Sequence, residues 1–167
     1  RIVKGFGTQT GDVDHGKAGY LNEHREGYPC FELGLIVSRD PDTVRVPAIS
    51  YFLGGDLFGE TDKSITDTRP ALVVEVTSSN DRRQSLNDRI FEYTNWGVEV
   101  LWIVDPCDKA VHVIRPGYAN KAAREHETLS GSLSWRHKPT GQAILPDFRI
   151  AVADIFQPPE YWQPSAS

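Results

Sequence analysis

Methionine is absent from the 167 residues, and cysteine occurs twice, at Cys30 and Cys107. Two cysteines with no patterned spacing exclude a disulfide framework and read as reduced thiols of a cytoplasmic protein. The missing methionine leads us to expect a native start upstream of Arg1. No apolar run approaches the ~20 residues that cross a bilayer. The longest, at 33–37 and 100–104, fall far short, and no signal peptide is visible. Positive charge is not in excess: 18 lysines and arginines face 23 acids, for a net charge of −5. That balance excludes a protein that coats nucleic acid nonspecifically, although it leaves room for a local basic groove. Of His15, His24, His112, His126 and His137, no pair has metal-ligand spacing on a recognisable element. No internal repeat is visible.

What is present is globular. Hydrophobic residues make up 39% and charged residues 25%, which excludes a disordered tail protein and a collagen-like fibre. A chain of this size suits one domain and buries roughly 70% of its unfolded surface. A short strand is expected over 1–5, a glycine- and aspartate-rich loop over 8–16 and a weak helix over 17–25. Residues 31–38 read as a strand, closed by a turn at 39–42. Residues 43–53 are β-branched and aromatic, so the two runs form a hairpin. Residues 54–69 have no sustained period and read as a long loop.

Residues 71–76 are apolar except for Glu75, the pattern of a strand buried on both faces. Ser78, Ser79 and Asn80 offer helix caps, and 81–96 shows helical period, with Leu86, Ile90 and Tyr93 on one stripe ending at Gly97. Residues 98–104 form a second buried strand, 110–115 a third that pairs back, and 125–129 an edge strand. Residues 143–156 are a final hydrophobic segment before a proline-rich tail. The order is mixed α/β, with a central sheet and helices against it. Tyr93, Trp96 and Trp102 read as core.

An acid in an apolar strand is costly unless it is paired or binds a metal. Alternation puts Ala71, Val73, Glu75 and Thr77 on one face. The next helix brings Arg82 and Arg89 near in sequence. Two readings stand: an ion pair with one of those arginines, or a metal ligand covered by the helix.

The stretch Pro70-Ala71-Leu72-Val73-Val74-Glu75-Val76-Thr77-Ser78-Ser79-Asn80-Asp81-Arg82 resembles the core motif of the Uma-type restriction endonucleases, a bacterial family on the PD-(D/E)XK nuclease fold. Other stretches agree in order and spacing. They are Asp40-Pro41-Asp42 through Pro47, Arg89-Ile90-Phe91-Glu92-Tyr93 with Gly97-Val98, Val100 through Pro106, and Leu145-Pro146-Asp147-Phe148 with Val152 through Phe156. Val3-Lys4-Gly5 fits the family's early strand.

The resemblance implies a restriction-endonuclease-like domain over 1–157, a mixed central sheet flanked by helices, with 158–167 as a tail. It also implies cleavage of phosphodiester bonds in DNA by one or two Mg²⁺ ions held by two acids, with a lysine stabilising charge on the phosphate. Carried over residue by residue, Glu75 matches the strand glutamate. Ala48 stands where the family has an aspartate after proline, and Arg89 stands where it has the helix lysine. Glu32 matches an acid before the hairpin and offers a second ligand beside Glu75. Alternation along the second hairpin strand puts Val46, Ala48 and Ser50 on one face, so Glu32, Ala48 and Glu75 are expected to share a cleft with Arg89 pointing into it. Ala48 has no oxygen for a cation, and arginine does not replace lysine. The function expected is therefore a metal-dependent DNA endonuclease with a degenerate site. Two rivals stand: a non-catalytic nucleic-acid-binding or regulatory protein on the same fold, and a structural homodimer.

Overall fold

The computed structural model describes residues 27–53, 59–78, 83–131, 135–139 and 141–157. The strand expected over 1–5, the helix over 17–25, Arg82 and the tail lie outside them. In chain order the elements are β1 (Tyr28–Phe31), β2 (Gly34–Ser38), β3 (Thr43–Arg45), β4 (Ile49–Phe52), β5 (Ile65–Thr66), β6 (Leu72–Val76), α1 (Arg83–Trp96), β7 (Val100–Asp105), β8 (Ala110–Ile114), β9 (Lys121–Arg124), β10 (Thr128–Ser130), β11 (Arg149–Ala151) and α2 (Val152–Phe156).

The apolar run at 72–76 lies in the middle of a six-stranded sheet ordered β1-β4-β6-β7-β8-β9. β6 pairs antiparallel with β4 and parallel with β7, with α1 as the crossover between the parallel strands. Its residues alternate between two apolar clusters. Leu72 and Val74 join Ile49, Tyr51, Val100, Trp102 and Phe148 on one face. Val73 joins Tyr28, Cys30, Phe52, Leu101 and Ile103 on the other, where α1 packs through Leu86, Ile90 and Tyr93.

The helix ends as its sequence indicates. Gly97, at φ 102°, donates to the carbonyls of Tyr93 and Thr94, and Val98 donates to that of Tyr93 at 3.0 Å. This is a Schellman closure, which needs a residue without a Cβ penalty at positive φ. Arg69 crosses the same end and donates from Nη1 to the carbonyl of Trp96 at 3.0 Å.

The hairpin departs from expectation. Residues 31–38 and 43–53 are each two strands, not one. β1 pairs with β4 in the main sheet, whereas β2 pairs with β3 and β5 in a separate three-stranded sheet. Strands 31–38, 44–53, 71–77 and 98–104 therefore do not share one sheet. The chain breaks at Glu32, which has φ 50°, and opposite it at residues 46–48, where Pro47 has no N–H for a ladder. The long loop contains β5. The strand expected at 125–129 starts only at Thr128, as β10; residues 125–127 form the turn from β9, where Glu127 Oε2 accepts the N–H of Arg124 at 2.7 Å. The segment over 143–156 divides into β11 and α2.

Candidate functional site

Glu75 lies one residue before the end of β6, on the face that carries Val73 and therefore α1. It is 7% exposed. On α1, Arg89 and Tyr93 are four residues apart, so both reach the same strip of sheet. Tyr93 donates its hydroxyl to Glu75 Oε1 at 2.7 Å, and Arg89 Nε stands 3.7 Å from the same oxygen. Burial, and next the negative charge of Glu75, push the Tyr93 hydroxyl far above its usual pKa, so it stays protonated and serves as donor. Arg89 also donates from Nη1 to Ser85 Oγ at 3.3 Å.

The network continues along the helix. Glu92 takes a bidentate pair from Arg45 of β3, through Nε to Oε2 and through Nη2 to Oε1 at 2.8 Å. The hydrogen bond from Arg45 holds the Glu92 carboxyl below its ordinary value. The same bond raises Arg45, and the negative charge of Glu75 adds to that.

The other two expected residues lie at the hairpin break. The Glu32 N–H reaches the Ala48 carbonyl at 3.4 Å, so their backbones meet. The β4–β6 register ends at Ile49 opposite Val74, and one step further sets position 48 level with Glu75. The chain bends there, and the Ala48 methyl packs against the cluster on the face away from α1. Ser50, opposite Val73 and Cys30, faces the Glu75 side instead. Glu32 is exposed. The structure thus joins Glu75 to Arg89, brings the backbones of Glu32 and Ala48 together, and leaves the Ala48 and Glu75 side chains on different packing surfaces.

The "Putative restriction endonuclease" family model, Uma2, matches residues 16–153. The chain belongs to the Uma2 family. A crystal structure of a "putative nuclease belonging to DUF820" from Anabaena variabilis ATCC 29413 is similar over 81% of this chain and 71% of that one, with a TM-score of 0.58 and 21% identity. The architecture is that of the restriction-endonuclease-like proteins. No curated protein is matched by the sequence.

The Uma2 match makes a divalent metal the cofactor to test against these residues. Mg²⁺ asks for carboxylate oxygens and keeps its waters. Here Glu75 offers a carboxylate with one oxygen already held by Tyr93 and facing a guanidinium, and Ala48 offers none. Among the described residues no group of three or more His, Cys, Asp or Glu side chains is placed to hold a metal ion. This donor set does not fit a Mg²⁺ centre. What it does fit is a charge-balanced, partly buried network, in which two acids face two arginines and a tyrosine hydroxyl supplies a further hydrogen bond.

Three members of that network escape sequence reasoning. Tyr93 reads as core from its helical stripe. The only local signal for its hydroxyl is the spacing of four from Arg89. Glu92 and Arg45 are 47 residues apart, and no pattern along the chain connects them.

Proposed function

We propose that this Uma2 protein is a DNA-directed member of a metal-dependent endonuclease family whose hydrolytic centre is degenerate, so that cleavage in Mg²⁺ is weak or undetectable. The observation that carries the reading is the occupied carboxylate. Glu75 Oε1 accepts a hydrogen bond from Tyr93 and faces Arg89, and the position level with it is an alanine. Arginine keeps the lysine's charge, but its planar fork pairs with carboxylate and does not copy a compact ammonium donor. The family description supports DNA as the target.

The test is nicking of supercoiled plasmid with MgCl₂, comparing the native protein with Glu75→Ala. We expect no metal-dependent cleavage above the Glu75→Ala background. Strong cleavage that disappears in Glu75→Ala overturns the reading, since Glu75 would then work with another acid in place of the missing aspartate. Strong cleavage that survives Glu75→Ala places the active centre elsewhere.

A second reading, a non-catalytic nucleic-acid-binding or regulatory protein, is favoured by the same geometry, which keeps a positive arginine where the family has its lysine. It requires DNA binding in the absence of metal, with log K falling linearly against log salt. A structural homodimer shows no such binding.

A further inference from the structure

A second set of polar groups lies on the opposite face of the sheet from Glu75. β8 ends at Ile114, and the chain turns through Arg115-Pro116-Gly117-Tyr118. The Tyr118 N–H returns to the Arg115 carbonyl at 3.0 Å, and Gly117 sits at φ 84°. Proline followed by a glycine at positive φ is the signature of a type II turn. The turn folds Tyr118 back over Arg115, whose guanidinium carbon is 4.2 Å from the Tyr118 ring centroid and 5.5 Å from that of Trp135.

These groups line a cavity of about 280 Å³. Val113, Ala123 and Leu129 contribute its apolar floor and belong to the cluster away from α1. Lys121, Thr128 and Ser130 join Arg115 in the lining, and none of the described lining residues carries a carboxylate. The Arg115 Nε is buried and has no hydrogen-bond partner among the described residues. A guanidinium against two rings, with a second cation in the same lining and no acid among the described lining residues, is arranged to accept an anion. Tyr118 is 64% exposed, which leaves ring surface for a flat partner. The volume is slightly below the range of about 300–1,000 Å³ usual for small-ligand sites, so the occupant is small.

We propose that this cavity binds one nucleoside monophosphate unit, with the base stacked on Tyr118 and the phosphate on Arg115 and Lys121. The unit comes either from a free nucleotide or from a single strand of nucleic acid. This inference does not depend on whether the Glu75 centre cleaves.

The experiment is calorimetric titration of the native protein with deoxyadenosine monophosphate, deoxyadenosine, inorganic phosphate and a short oligothymidylate. The monophosphate should bind in a saturable way, and more tightly than the nucleoside or phosphate alone. Tyr118→Ala, at an exposed position that does not endanger folding, should weaken it by about tenfold, the size of one base–aromatic stack. Arg115→Ala should weaken it at least as much. Lys109→Ala, an equal loss of charge at the other end of β8, should leave it unchanged. If the natural source is a strand, the oligothymidylate binds more tightly than the mononucleotide and loses the same factor in Tyr118→Ala. If the source is a free nucleotide, the oligothymidylate binds no better. Absence of saturable binding by both the monophosphate and the oligothymidylate overturns the proposal. So does binding that is the same in Tyr118→Ala and the native protein.

Discussion

Replacing Tyr93 by phenylalanine removes one oxygen atom from the candidate site and nothing else. The ring is fully buried, so phenylalanine fills the same space and opens no cavity. The loss is the hydroxyl's bond to Glu75 Oε1 at 2.7 Å. A hydrogen bond to a charged group contributes about 1.5–3 kcal/mol, and Arg89 at 3.7 Å does not replace it in the geometry seen here. We therefore expect Tyr93→Phe to lose about 1.5–3 kcal/mol at neutral pH. Urea unfolding followed by circular dichroism should show the midpoint falling by on the order of 1 M with the slope unchanged. Tyr93→Leu should cost more, because it also removes ring contacts with the Leu86 and Ile90 cluster. A Tyr93→Phe protein as stable as the native one would refute the reasoning. It would mean that Glu75 meets its needs without the tyrosine and is available to other partners.

Gly97→Ala places a Cβ at φ 102°, 2.8 Å from Arg69 Nη1. It should destabilise by about 1–2 kcal/mol, the cost of a left-handed conformation for an L-residue, read as a lower thermal midpoint. The Glu92 carboxyl has a depressed folded-state pKa, so its contribution to stability is complete above the unfolded value of 4.5 and disappears as pH falls through the folded value. Arg45→Met should lower stability at neutral pH and flatten that acid-side loss, which a pH series of urea midpoints would reveal. The pair is partly exposed, so the effect should shrink in high salt.

The strand–helix–strand unit around Glu75 was legible because its signals are local. An apolar run, a change of period at Asn80 and a terminal glycine each act within a few residues. The broken hairpin was not. Residues 31–38 and 43–53 have continuous strand character, and the break depends on Glu32 taking positive φ opposite a proline that cannot donate. Alternation carried across that break assigns Ala48 to the wrong face. Ser50 keeps the face it should have, but Ala48 stands beyond the last paired residue and turns to the other packing surface. The pairing of Glu75 with Arg89 was one of two readings open in the sequence. The tyrosine that completes it looked apolar because its hydroxyl is satisfied only through a contact across the sheet–helix interface.

The charge arrangement explains why restoring a metal centre should take two changes. Glu75 and Glu92 are matched by Arg89 and Arg45, so the network carries no excess of negative charge to attract a dication. Ala48→Asp alone reaches Arg89 only if the side chain at 48 turns from the apolar cluster toward Glu75, and there the guanidinium would pair with the new carboxylate in preference to leaving it for a strongly hydrated ion. Arg89→Lys alone would leave one carboxylate, still hydrogen-bonded by Tyr93. Ala48→Asp with Arg89→Lys supplies a second acid and replaces the guanidinium fork with a compact ammonium. We expect the double variant to gain Mg²⁺ affinity, seen as a thermal midpoint that rises with MgCl₂ through binding linkage, while each single variant and the native protein stay flat. A flat response in the double variant would mean that the side chain at 48 keeps the orientation of the alanine, against the apolar cluster and away from Glu75. In that case the hairpin break has moved the backbone as well as removed the aspartate.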